Sequence, residues 1–209
     1  MPRSAPPDTP DNSEINAEIR SKMRHLRNSI EGADAAAAAA EIARKLAVIP
    51  AFINATRLAA YIAVNGETDT TPLIRQARDA NKQPYLPVVG DNYRLLFAPY
   101  SSDATMLQNR YHIPEPAHTT AKLLHASDLD IVCVPLLAFD SDCRRLGSGA
   151  GYYDRALAHT TPRQPLKIGV AYDFQRVDCL TAQAWDIPMD IIITEKTIYT
   201  RPETTGGSE

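Results

Sequence analysis

Along residues 14–31 apolar side chains recur with a helical period. Ile15, Ile19, Met23, Leu26 and Ile30 mark one face, and Arg20, Arg24 and Arg27 follow each other at i, i+4 and i+7 on another. Asn12 or Ser13 offers a side-chain oxygen to cap the start, and Gly32 is expected to end the helix. A second helix is predicted from about Asp34 to Val48. It contains an alanine run over 35–40. Alanine has the best helix propensity, so this low-complexity stretch predicts helix rather than disorder. Pro50 stops it.

Beyond residue 56 short apolar runs alternate with amphipathic stretches. Strands are predicted at 57–64, 83–89, 93–99, 130–134, 167–172 and 190–194. Helices are predicted at 70–80, with Pro72 in the first turn, and at 151–159. Residues 100–128 give no clear period. Strands that are apolar along almost their whole length are buried on both faces. The expected fold is therefore α/β, in three layers, with a mostly parallel sheet covered by helices on both sides in a Rossmann-like manner.

Composition narrows this picture without changing it. A chain of 209 residues can bury one substantial core. We expect one α/β domain over 13–200, with disordered tails at 1–12 and 201–209, where proline, threonine, glycine and serine collect. The formal net charge of −3 makes no global electrostatic case for nucleic acid or an anionic membrane. No apolar stretch approaches a membrane span. Cys133, Cys143 and Cys179 have no metal or redox spacing, and two of them adjoin apolar runs as buried thiols would. The expected setting is cytoplasmic, with small-molecule substrates and a monomeric chain.

The chemistry concentrates in Arg144-Arg145-Leu146-Gly147-Ser148-Gly149-Ala150-Gly151-Tyr152-Tyr153-Asp154-Arg155, directly after the apolar run 130–140. A glycine-rich turn can bring several backbone N–H groups to an anion. Neither a Gly-Lys-Ser/Thr nor a G-x-G-x-x-G pattern is present. Asp154 and Asp190 are isolated carboxylates that could ligate magnesium beside phosphate oxygens. Glu67 follows the first predicted strand, where an open α/β sheet meets its ligand. The arginine stripe at 20, 24 and 27 has two readings. A guanidinium fork suits phosphate, but spacing alone favours a solvated face. The five histidines have no metal spacing, and no G-x-S-x-G motif is present.

These blocks resemble the 5-formyltetrahydrofolate cyclo-ligase family. The resemblance rests on 134–140 followed by the glycine block 145–155, on Gly66-Glu67-Thr68-Asp69-Thr70 with Leu73, Ile74, Lys82 and Pro87, on Ile113-x-Glu115-Pro116, and on 168–171 with Gln175, Trp185-Asp186 and 190–194. Together they span about 15–195. The resemblance implies an ATP- and magnesium-dependent ligase that closes 5-formyltetrahydrofolate to 5,10-methenyltetrahydrofolate and releases ADP and phosphate. It assigns ATP to Arg20, Arg145, Leu146, Gly147, Ser148, Gly149, Ala150, Gly151, Tyr152 and Tyr153. It assigns reduced folate to Ile62, Glu67 and Tyr152, magnesium to Asp154 and Asp190, and catalysis to Arg145 and Tyr152. One departure is Asn16, where the family usually carries lysine. A non-catalytic folate-binding or regulatory module on the same fold is the alternative, as is an enzyme handling phosphosugar or coenzyme A.

Overall fold

The computed structural model describes residues 12–119, 122–161 and 164–202. The expected tails lie almost wholly outside these segments. Two helices open the chain, α1 (Asn12–Asn28) and α2 (Gly32–Ala47), followed by the short α3 (Pro50–Asn54). Then come β1 (Arg57–Ala59), α4 (Thr71–Asp79), β2 (Gln83–Val89), β3 (Leu95–Pro99), β4 (Met106–Gln108) and β5 (Pro114–Pro116). The rest comprises β6 (Ile131–Pro135), β7 (Ala138–Phe139), β8 (Arg145–Leu146), α5 (Tyr152–Leu157), β9 (Leu166–Val170), β10 (Ile191–Ile193) and β11 (Ile198–Thr200).

Seven strands form one sheet in the order β11-β10-β9-β6-β1-β2-β3. The inner run from β10 to β2 is parallel, and antiparallel β11 and β3 close its two edges. Side-chain alternation divides the core in two, as the pleat requires. Leu58, Ile131 and Cys133 pack with Ile42 and Leu46 of α2 and Leu73 and Ile74 of α4. Ala59, Val132 and Val134 pack on the other face with Leu157 of α5. The three-layer expectation therefore holds. Leu58 and Ile131 are wholly buried, and each such side chain contributes about 1.5–3 kcal/mol. Cys133 and Cys143 are buried as expected, and burial pushes their thiols up to about 12 and about 11. Both are inert at neutral pH. Among the described residues, no helix is long and apolar enough to cross a membrane.

Chain direction reverses between β1 and β6. From β1 the chain moves outward to β2, and from β6 it moves the other way to β9 and β10. In open α/β sheets, a crevice forms at such a point outside the carboxyl ends of the strands. Helix α1 sits there. Met23, with Ile19 and Leu26, packs on Leu137, Ala138 and Leu146 of the β7–β8 hairpin and on Leu180.

Two local expectations are corrected, and the segment without a period is filled in. Only 57–59 of the predicted strand 57–64 is paired, with Ala60 N–H still donating to Tyr85 O. The chain then closes on itself, with Tyr61 Oη donating to Thr68 O at 3.1 Å and Thr70 Oγ1 to Tyr61 O at 2.5 Å. Gly32 does not end α1 but begins α2. The first helix stops at Asn28, where Ser29 Oγ takes the Leu26 carbonyl. Within 100–128 lie the β4–β5 hairpin and a 3-10 turn at 126–128. Strands of three residues, one of them bounded by Pro114 and Pro116, carry too few positions to show a period.

Candidate active site

The glycine loop 147–151 leaves the β7–β8 hairpin and feeds α5, with Gly151 as its N-cap. Three arginines hold its carbonyls from outside. Arg20 Nε donates to Gly147 O at 3.0 Å, Arg24 Nη2 to Ser148 O at 3.5 Å, and Arg155 Nη1 to Ala150 O at 2.8 Å. Among the described residues, no acceptor is bonded to the N–H groups of 147–151. With the Gly147, Ser148 and Ala150 carbonyls taken, the loop keeps its donors for a ligand. Gly149 has φ +112°, a conformation that side chains rarely adopt, in open space.

Beneath the loop lies a buried charge pair. Arg145 Nη2 meets Asp154 Oδ1 at 2.5 Å, with Arg145 only 5% exposed. Asp154 Oδ1 also accepts from Ile187 N–H at 3.1 Å. Burial lowers the Arg145 pKa from its ordinary value, and Asp154 opposes that shift. Arg145 Nε is buried and has no partner. The Tyr153 hydroxyl is likewise buried and unpartnered, and desolvation raises its pKa.

On the other side stands the 61–70 turn. Glu67 Oε2 accepts from Val64 N–H at 3.2 Å, and Oε1 lies 3.9 Å from Arg27 Nη1. Burial pushes the Glu67 carboxyl above the ordinary range, while the Val64 N–H and the Arg27 charge pull it back. Gly66 has φ +71° and lies against α1 so closely that a Cβ there would come within 2.9 Å of Arg27 O. Tyr152, at the start of α5, reaches from the loop to the 93–111 segment. Its hydroxyl meets Arg110 Nη2 at 2.8 Å and Tyr111 Oη at 2.7 Å, and its ring packs near Tyr93 and Tyr111.

One cleft of about 2120 Å3 is lined by Arg20, Ile62, Glu67, Arg145 to Tyr153 and Asp154, so nearly every anticipated site residue converges there. Asp190 does not line it. Its carboxylate pairs with Lys167 Nζ at 3.0 Å and accepts Lys167 N–H at 2.8 Å, tying β10 to β9. The two aspartates anticipated as joint magnesium ligands are therefore not assembled. Among the described residues, no group of three or more His, Cys, Asp or Glu could hold a metal.

The arginine stripe is only in part the solvated face that spacing favours, with Arg24 exposed and Arg20 half-buried. Arg27 is buried, and Arg20, Arg24 and Arg27 all line the cleft. Local pattern carries no sign of this, because the partners lie more than a hundred positions away. Tyr111 was missed inside the segment without a period. Trp185 lines the same cleft, 68% exposed.

Comparison with known proteins agrees with this geometry. A sequence model described as the 5-formyltetrahydrofolate cyclo-ligase family matches residues 12–195. The 5-formyltetrahydrofolate cyclo-ligase of Escherichia coli is 35% identical over 159 residues, covering 75% of this chain and 87% of that one. Its Haemophilus influenzae counterpart is 38% identical over 142 residues, covering 66% and 76%. The NMR structure of Aquifex aeolicus 5,10-methenyltetrahydrofolate synthetase superposes with a TM-score of 0.78 at 32% identity, covering 93% of this chain and 96% of that one. With sequence, fold and cleft in agreement, the chain belongs to the 5-formyltetrahydrofolate cyclo-ligase family.

Proposed function

We propose that the cleft holds ATP on the glycine loop and the reduced folate against Glu67, side by side. The family activity is the closure of 5-formyltetrahydrofolate to 5,10-methenyltetrahydrofolate by a ligase of one-carbon metabolism, and family membership implies use of ATP. What carries the residue reading is the loop itself, its carbonyls held by Arg20, Arg24 and Arg155 and its N–H groups uncommitted. The cleft volume is about twice the upper range for a single small ligand, roughly 300–1,000 Å3, which leaves room for two.

The formyl oxygen attacks the γ-phosphorus and ADP leaves. The imidate carbon of the resulting phosphate is attacked by the neighbouring anilino nitrogen, which closes the ring and gives up its proton to solvent. Phosphate departs with the former formyl oxygen. The protein needs no covalent intermediate for this. It positions two ligands and stabilises charge moving over phosphate oxygens. The loop N–H groups and Arg145 supply donors for that charge. Glu67 Oε1 accepts N–H donors of the pterin edge. Ile62 supplies an apolar wall, and Tyr152 faces the folate across the loop.

Magnesium fits through Asp154 rather than through an aspartate pair. Oδ1 of Asp154 is taken by Arg145 and Ile187, while no bond among the described residues occupies Oδ2. One carboxylate oxygen with phosphate oxygens is an ordinary magnesium site. A bound ion would neutralise phosphate charge. Asp190 is committed to Lys167 and is left to the fold.

Absorbance of methenyltetrahydrofolate formed from 5-formyltetrahydrofolate tests the reading. Product should form only with both ATP and magnesium. Full turnover in excess chelator would remove the metal, and turnover without ATP would remove the nucleotide.

A further inference from the structure

We propose that Arg27 is a positioning residue for the reduced folate, holding the Glu67 carboxylate toward the cleft without occupying the oxygen that the substrate uses. The proposal rests on the reading of Glu67 as the folate acceptor.

Four observations carry it. Arg27 is 5% exposed yet lines the cleft, so its charge is largely desolvated beside the ligand space. Its Nη1 reaches Leu136 O at 3.4 Å, just beyond the carboxyl end of β6, which fixes the guanidinium at the strand switch point. The same Nη1 stands 3.9 Å from Glu67 Oε1, close enough for attraction but too far for a hydrogen bond. Glu67 Oε2 is held by Val64 N–H, and among the described residues no donor bonds Oε1. One carboxylate oxygen is thus anchored by the turn, and the other faces the Arg27 charge without a hydrogen bond among the described residues. Gly66 lies so close to Arg27 that an added Cβ would meet its carbonyl oxygen at 2.9 Å, so the turn packs directly on α1.

Charge matters here because burial drives Glu67 toward its protonated form. A protonated carboxyl would present a hydrogen to the N–H donors it should accept. Arg27 opposes this from the protein side before any substrate arrives. Its Nε is buried without a partner, a cost retained in the fold at the side of the cleft.

Calorimetric titrations with 5-formyltetrahydrofolate, and separately with a non-hydrolysable ATP analogue, test it in wild type, Arg27→Met, Arg27→Lys, Glu67→Gln and Arg27→Met/Glu67→Gln. Arg27→Met should weaken folate binding about tenfold, as loss of a charge-assisted contact does. The double variant should be no weaker than the weaker single, and Arg27→Lys should recover part of the affinity. Unchanged binding of the ATP analogue confirms an intact fold. If Glu67→Gln weakens folate while Arg27→Met does not, Arg27 has no positioning role and the Glu67 reading stands. Independent, additive losses overturn the proposal too, as does equal loss of both ligands in Arg27→Met. Unchanged folate affinity in Glu67→Gln removes the Glu67 reading and this proposal together.

Discussion

The two walls of the cleft are built in opposite ways. The glycine loop 148–150 is exposed and makes almost nothing of its own shape. Arginines from α1 and α5 clasp its carbonyls, and its donors remain for a ligand. The 61–70 turn is closed by its own buried groups, with Tyr61 and Thr70 bonding across it and Glu67 tied back to Val64. An exposed loop held from outside suits a polyanion, which needs many donors with some freedom to adapt. A turn closed by its own groups, with Tyr61, Thr68 and Thr70 buried, suits a flat heterocycle, which needs one acceptor in one place. Helix α1 touches both, through Arg20 and Arg24 on one side and Arg27 on the other.

The largest expected effect strikes the base shared by the loop and α5. Asp154→Ala strands a buried Arg145 and frees the Ile187 N–H. Breaking such a buried pair costs about 3–5 kcal/mol, so urea unfolding should show a large loss of stability besides a collapse of turnover. A wild-type unfolding midpoint would mean that Arg145 finds another partner and that the loop does not rest on this pair.

Glu67→Gln sharpens the contrast by ligand. A lost charge-assisted bond is worth about 1.5–3 kcal/mol, and it should appear in folate affinity far more than in ATP affinity. The pH dependence follows from the raised Glu67 carboxyl. Its ionised form is the acceptor, so folate affinity should be full at high pH and fall as pH drops through the Glu67 pKa. That midpoint lies above the ordinary glutamate value of about 4.3. Glu67→Gln should flatten this limb and leave the nucleotide profile unchanged. A folate profile with no acid limb above the ordinary value would show that the carboxyl is not the acceptor.

Paired alanine substitutions at two left-handed glycines compare the walls directly. Gly66→Ala adds a Cβ 2.9 Å from Arg27 O, whereas Gly149→Ala adds one to open space. Both incur backbone strain of about 1 kcal/mol, but only Gly66→Ala must also push α1 off the turn. Thermal melting should therefore fall further for Gly66→Ala. The KM for folate should rise in that variant, and the KM for ATP in Gly149→Ala. Equal melting losses would mean that α1 yields freely.

The smallest effects belong to α1 on the nucleotide side. Arg20→Ala removes one part-buried bond to Gly147 O, worth about 1 kcal/mol, and should raise the KM for ATP severalfold with little change for folate. Asn16 also lines the cleft, so Asn16→Lys should leave ATP affinity unchanged or tighten it. If Arg20→Ala alters neither constant, the loop holds its shape without the helix.

Much of this was legible along the chain. The strand runs at 83–89 and 131–135 are apolar enough to announce a sheet buried on both faces, and the alanine-rich helix and Pro72 announce their own elements. The block from Arg145 to Asp154 declares its chemistry because all its parts are neighbours in sequence. Tertiary structure alone decided the rest. Arg20 and Gly147 are 127 positions apart, and no local period can say whether an arginine stripe meets water or a loop carbonyl. Asp154 and Asp190 look alike in sequence. Only the pairing of β9 with β10 sets Lys167 against Asp190 and withdraws it from the cleft. Local patterning determines which segments form helix or strand, because it is a property of neighbours along the backbone. Which charges end up facing each other is settled by packing, because only burial decides which partner each charge must find.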